Sequence, residues 1–218
     1  MEKVYRRNLE IAGWWPGVEF VLLDYHSPDG LGSWVRSELP EWITRGVLRY
    51  FRTEEPRRFH VAHAKNVAHC LATGEVLVNL DADNFFEEGY AEEVAALFAD
   101  GARVLADFAE YRRGCVGRIA LRREDFIALG GYNESFTGWG YEDADLIHRA
   151  EAMGLVRRHF DPRHAQAVQH SDRERTRFAA EKRIYRNNRR HHAASRANLA
   201  AGRLVANTGR EWGCAELV

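Results

Sequence analysis

The sequence predicts an α/β fold: a mostly parallel central sheet flanked by helices. Short apolar runs alternate along the chain with segments of helical periodicity. The run VEFVLLD, Val18 to Asp24, is apolar almost throughout, as strands buried on both faces are. Acidic residues gather just after Leu23 and Leu80, where strands of such a sheet would end and where ligands of open sheets sit.

The elements follow in order. Glu2 to Ala12 suits a short helix, and Val18 to Asp24 reads as a strand. HSPDG, punctuated by Pro28 and Gly30, is the turn after it. A helix from Ser33 to Ile43 leads to a second strand, Val47 to Arg52. Ala64, Val67, Ala68 and Leu71 recur at helical spacing, and Gly74 stands where a C-cap glycine belongs. EVLVNLDAD, Glu75 to Asp83, is the third strand. Glu87 to Ala99 is helical, with Val94, Leu97 and Phe98 as its buried stripe, and VLADFAE and CVGRIALR are further strands. A Gly-rich turn then opens a helix whose apolar face is Leu146, Ile147, Ala150 and Met153.

Composition narrows the function classes. The 218 residues carry 31 Lys+Arg against 32 Asp+Glu, a net charge of −1 that argues against whole-chain nucleic-acid binding. Cys70, Cys115 and Cys214 are too scattered and odd in number for a disulfide framework or a zinc knuckle, which suits a reducing compartment. No apolar stretch approaches membrane-spanning length and MEKVYRRNLE lacks the apolar core of a signal peptide, so a soluble, cytoplasmic protein is expected. From Arg173 to Arg196 nine Lys/Arg meet only two Glu, with Phe178, Ile184 and Tyr185 as a thin apolar stripe. This is either a solvated helix face or a basic arm for an anionic acceptor or a peripheral membrane contact.

Two acidic clusters carry the chemistry. Asp81 and Asp83 flank one residue at a strand end, and period-two geometry would send both carboxylates to one side. They are a turn with side-chain capping, or the anchor of Mg²⁺ or Mn²⁺ bridging to a diphosphate. In GWGYEDADL, Asp145 pairs with Arg149 one helical turn on. Glu142 and Asp143 face whatever the loop encloses, where a carboxylate can take a proton from a sugar hydroxyl and Trp139 offers a flat surface for a sugar ring. His60 and His63, one turn apart, lack a convincing third ligand for zinc, His191 and His192 read as solvated, and Trp14, Trp15, Trp34 and Trp42 read as core.

VLLDYHSPDG, AKNVAHCLATGEVLVNLDADN and GRIALRREDFIALGGYNESFTGWGYEDADL, in that order, resemble the nucleotide-diphospho-sugar transferase fold of A-type glycosyltransferases. The likeness is nearest to the galactosyltransferase and N-acetylgalactosaminyltransferase group, with its WGxEDxD signature, and more broadly to family 2. It implies a metal-dependent transferase using a UDP-sugar of galactose or N-acetylgalactosamine type, one Mn²⁺ or Mg²⁺, and a glycan or other hydroxyl acceptor. Asp143 would be the catalytic base, and a carboxylate there favours inversion. Asp81, Asp83 and His170 would hold the metal. Asp24, Asp29, Lys65, Asn66 and Asp81 would contact the donor, and Trp139, Gly140 and Glu142 the acceptor. The resemblance further implies a strand ahead of the first helix that this sequence is expected to lack. Residues 1–172 would form the catalytic domain, with a nucleotide part at 1–83 and an acceptor part at 84–172, and 173–218 a basic helical extension packed on it. Competing readings are a metal-dependent sugar-nucleotide phosphohydrolase with water as nucleophile, and a truncated carbohydrate-binding protein without turnover.

Overall fold

A computed structural model describes residues 2–179 and 183–218. Helix α1 (Glu2–Ala12) presents Tyr5, Leu9 and Ala12 at three- and four-residue steps to strand β1 (Phe20–Tyr25), and the Tyr5 ring meets Phe20 edge-on at 6.1 Å. In β1 the inward positions are Phe20, Leu22 and Asp24, while the alternate residues are only half-buried, so burial is one-sided rather than two-sided. The helix expected over Ser33 to Ile43 is two, α2 (Leu31–Glu38) and α3 (Pro40–Thr44). Pro40 cannot donate to the preceding turn and pushes Leu39 out of helical geometry.

Strand β2 (Leu48–Thr53) runs parallel to β1, from Phe20 opposite Leu48 to Tyr25 opposite Thr53. Helix α4 (Val61–Leu71) follows and leads to β3, which is only Val76–Val78. The chain leaves the strand at Asn79, whose amide donates to the Gly117 carbonyl at 2.8 Å and to Asp81 at 3.0 Å. DAD therefore lies in a turn closed by the Asn84 N–H on the Asp81 carbonyl at 2.8 Å. Strand periodicity does not put Asp81 and Asp83 on one side.

Next come α5 (Tyr90–Phe98), β4 (Val104–Asp107), β5 (Ala120–Arg122), α6 (Arg123–Ala128), α7 (Glu142–Ala152) and β6 (Val156–His159). The second sheet has the order β3-β5-β4-β6. Its β4–β6 pair is parallel, but β5 is antiparallel to both β3 and β4. The α/β class stands, while the sheet is mixed rather than mostly parallel, because no crossover helix separates β4 from β5. Leu105, Ile119, Leu121, Phe126, Leu129, Tyr132 and Leu146 form the core between this sheet, α6 and α7. Each fully buried large apolar side chain contributes roughly 1.5–3 kcal/mol.

The short helix α8 (Asp172–Arg175) precedes α9 (Ile184–Ala200). The buried stripe of α9 is polar, Asn187, His191 and Ser195, whereas Phe178 and Tyr185 are exposed. His191 is not solvated: its ring stacks on Phe136 at 4.6 Å and 3°. Trp14 is also exposed, although Trp15, Trp34 and Trp42 pack against the core as expected. Beyond α9 the chain returns over the Gly-rich turn, with Asn207 donating to the carbonyls of Gly130 and Tyr132 at 2.8 Å each, and Leu217 bridging to Thr53. Part of the basic stretch, residues 180–182, lies outside the described residues. Among the described residues, no helix is long and apolar enough to cross a membrane.

Candidate active site

The loop before α7 turns through two left-handed residues, Gly140 (φ 105°) and Tyr141 (φ 74°). The left-handed φ favours glycine at 140, and a Cβ there would lie only 2.2 Å from Oδ1 of Asn188 of α9, whose side chain would have to turn aside. The Gly140 carbonyl accepts from His191 Nδ1 at 2.7 Å, and burial holds that imidazole below its ordinary pKa, favouring the neutral form. Helix α9 thus braces this loop. Gly140 and Glu142, expected at the acceptor, serve the same bracing: Glu142 is buried, accepting from Lys65 at 3.1 Å and from the Gly140 N–H at 3.1 Å. Asp145 pairs with Arg149 at 2.7 Å as the spacing suggested, and the pair is buried. Arg149 also donates to the Leu129 and Gly131 carbonyls at 2.8 Å each, stapling α7 to the Gly-rich turn.

Asp143 begins the same helix but faces Lys65 of α4, whose ammonium donates to Oδ1 at 2.6 Å. Across from them lies Gly117, between β4 and β5. A Cβ there would sit 3.0 Å from Asp143 Oδ2, 3.2 Å from Lys65 Nζ and 3.3 Å from Asp81 Oδ2. Base candidate, cation and first Asp of DAD therefore share one small space left open by a missing side chain. Burial pushes the Asp143 carboxyl up to about 7 despite the Lys65 charge, with Glu142 and Asp81 adding to the rise. So enclosed a group leaves the ordinary carboxylate range. Burial lowers Lys65, but Asp143 and Glu142 outweigh it and hold the ammonium well above its usual range.

Asp83 faces the other way. Its Oδ2 lies 3.4 Å from His170 Nε2, and its Oδ1 accepts from Asn84 at 2.8 Å. Burial, then the neighbouring Asp81 charge, raises its pKa. A divalent ion would relieve both, and a carboxylate with an imidazole suits Mn²⁺, leaving further positions for water and phosphate oxygens. The three proposed ligands do not converge: among the described residues no group of three acidic, histidine or cysteine side chains is close enough to hold a metal. The turn at DAD aims Asp81 at Asn79 and Lys65 instead of at the Asp83–His170 pair.

The remaining expected residues divide. Asp24 is fully buried, accepting from Ser27 N–H at 2.8 Å, Tyr50 at 2.7 Å and Arg52 at 2.7 Å, so it fixes the end of β1 and has no face for a nucleotide. Asp29 is exposed and accepts from Ser27. Asn66 is also fully buried: it exchanges bonds with the Tyr132 backbone at 2.8 and 2.9 Å and donates to Glu134 at 2.8 Å, locking α4 to the Gly-rich turn. Trp139 is half-buried, tilted against Phe59 at 6.1 Å, which meets Tyr25 edge-on at 5.5 Å. His60 and His63 are engaged with the Glu134 carbonyl and with Tyr25 and the Cys214 carbonyl.

Sequence reasoning missed Gly117, although a glycine inside a strand pattern signals close approach of another group. It also missed Arg118. This buried guanidinium donates to Asn84 at 3.0 Å and to the carbonyls of Phe85 at 3.1 Å, Gln166 at 3.4 Å and His164. One cation thereby ties the turn after DAD to the segment that leads to His170.

Residues 106–172 match the family described as the N-terminal domain of galactosyltransferase; this stretch holds Gly117, Asp143 and His170 but not DAD. A validoxylamine A glucosyltransferase of Streptomyces hygroscopicus subsp. jinggangensis (strain 5008) is 46% identical over 37 residues, 17% of this chain and 9% of that protein's length. A mannosyltransferase of Pyrobaculum calidifontis, solved in complex with GDP-Man and Mn²⁺, is 22% identical and covers 92% of this chain and 61% of its own, with a TM-score of 0.63. The catalytic domain of a Drosophila β1,4-galactosyltransferase 7, in complex with xylobiose, is 16% identical over 82% of this chain and 79% of its own, at a TM-score of 0.44. The mannosyltransferase likeness establishes the fold: this chain has the α/β fold of the A-type glycosyltransferases.

Proposed function

We propose that this chain is a metal-dependent glycosyltransferase that moves a sugar from a nucleotide-sugar donor to a hydroxyl acceptor, with inversion. The observation that carries the reading is the enclosed Asp143, held by Lys65 and set across Gly117 from Asp81. A carboxyl with a pKa of about 7 is matched to taking a hydroxyl proton near neutral pH, a role that contributes about 10²–10⁴-fold to such reactions. Deprotonated Asp143 would accept that proton as the hydroxyl oxygen attacks the donor's anomeric carbon from the side opposite the diphosphate.

Asp83 and His170 would hold the divalent ion, and when bound it neutralises charge on the leaving diphosphate. Lys65 keeps the base ionised and correctly turned, with Glu142 and Asn66 fixing the elements around it. Trp139 with Phe59 would give the acceptor its apolar wall.

The description of the matched family favours a galactose donor, and the resemblance of GWGYEDADL to the WGxEDxD signature extends the reading to N-acetylgalactosamine and to UDP as the carrier. The similar glucosyltransferase and mannosyltransferase carry other sugars in their names, so the donor panel spans several sugars and both nucleotides. Residues 1–172 would be the catalytic domain, and the C-terminal segment braces it through His191 and Asn207. The exposed arginines of α9, including Arg186, Arg189 and Arg196, would meet an anionic acceptor or a membrane surface from the cytoplasmic side. A panel of UDP- and GDP-sugars with Mn²⁺, scored separately for transfer and for hydrolysis, tests the function. Transfer to a hydroxyl acceptor from one donor class supports it, and hydrolysis alone contradicts it.

A further inference from the structure

We propose that Cys70 and Cys214 form a reversible disulfide that pins the C-terminal strap of the chain, residues 206–218, to helix α4. In sequence the two thiols are remote, but the fold lays the segment carrying Cys214 along the face of α4 that carries Cys70. His63 and Cys70 are seven residues apart in α4, two turns on the same side. The strap runs along that side, with the Cys214 carbonyl 3.0 Å from His63 Nε2. At the next residue back, a Cβ built on Gly213 would lie 2.7 Å from the Cys70 sulfur. Gly213 also has a left-handed φ of 62°, so two independent constraints demand glycine where the strap meets the thiol.

Access suits the reaction as well as position. Cys214 is exposed and Cys70 half-buried, whereas Cys115 is buried beside Arg118, away from the strap. The Cys70 thiol is raised chiefly by burial and next by the neighbouring Cys214, which agrees with the closeness of the pair. A peroxide oxidant suffices. Both thiol protons leave, the two sulfurs give up two electrons and join, and one hydrogen peroxide is reduced to two waters.

The bond would act on a segment that braces the site from behind. Gly213 N–H donates to Glu134 at 2.9 Å, Glu134 in turn accepts from Asn66, and Asn66 is the neighbour of Lys65. Without the bond the strap is held by such hydrogen bonds and by the edge of Trp212 on Phe126 at 5.9 Å. With it, the unfolded chain loses the freedom of a long loop and the strap cannot peel away.

The test exposes the full chain to graded hydrogen peroxide and follows intact mass, linked peptides, thermal unfolding and limited proteolysis. Expected are the loss of two hydrogen atoms in mass, a Cys70–Cys214 linked peptide, one remaining thiol, a raised Tm and slower cleavage of the strap, all reversed by dithiothreitol. Cys70→Ser and Cys214→Ser should each abolish the link, and Cys115→Ser should leave it intact. Oxidised thiol acids without a linked peptide, a Cys214-linked dimer, or a link involving Cys115 would overturn the assignment. A Cys70–Cys214 link that changes neither Tm nor proteolysis would overturn its role as a clamp.

Discussion

Lys65 Nζ lies 2.6 Å from Asp143 Oδ1, and both groups are enclosed between α4 and the first turn of α7. The cation opposes the burial that would otherwise protonate the carboxyl at neutral pH. Whether Asp143 works as a base at a given pH therefore depends on Lys65.

Activity should rise with pH through a limb near 7, because the protonated Asp143 present below that value cannot accept a proton. Lys65→Met removes the nearest positive charge and should move the limb up by about 1–2 pH units, while Lys65→Arg keeps it near its original place. The kcat/KM profile of the three proteins checks this, and a Lys65→Met limb that does not move would exclude Lys65 from the role. The sign for stability is the reverse. The folded carboxyl binds a proton that the unfolded one has lost, so this group's contribution to stability falls as pH rises from 3.8 to about 7.

Removing either member of the Asp83–His170 pair should raise the Mn²⁺ concentration needed for half-maximal activity. Asp83→Asn and His170→Gln should each do so by at least about tenfold. Asp81→Asn should shift the requirement less, because Asp81 faces Asn79 and Lys65. Titration of activity with Mn²⁺ separates the three, and an equal shift for all of them would restore the three-ligand site read from the sequence.

Gly117→Ala would place a methyl group among three charged atoms at 3.0 to 3.3 Å. The expected result is a fall in kcat/KM of about 10- to 100-fold with Tm nearly unchanged, since the side chain displaces reacting groups rather than core. Normal kinetics would mean that the space above Gly117 is not where the reaction occurs.

Arg118→Met should lower stability by about 3–5 kcal/mol, because it strands several carbonyl groups around a buried site. Thermal unfolding reads this directly, and an unchanged Tm would contradict it.

The parts of this account visible in the sequence are those encoded locally. The i,i+4 spacing of Asp145 and Arg149 was enough to pair them, and the apolar runs located β1 and β2 to within two residues at each end. The crowding of three acids marks the loop, but only the resemblance of WGYED to a known signature separates Asp143 from Glu142 as the base. What was not legible depends on distant segments meeting. His191 reads as one of many residues in a basic tail until α9 folds back onto Phe136 and Gly140. Asp24 reads as a nucleotide ligand until Tyr50 and Arg52 of the neighbouring strand consume its oxygens. The raised pKa of Asp143 arises from enclosure by α4, α7 and Gly117 together, which no single stretch of sequence specifies.

The central claim is that Asp143 is the base, and the Asp143→Asn protein tests it most directly. Transfer and Mn²⁺-dependent donor binding should be measured side by side on the wild-type and substituted chains. The account predicts that transfer falls by at least about 10²-fold while donor binding survives, since the amide keeps the shape but cannot take the proton. Transfer at the wild-type rate by Asp143→Asn would contradict it.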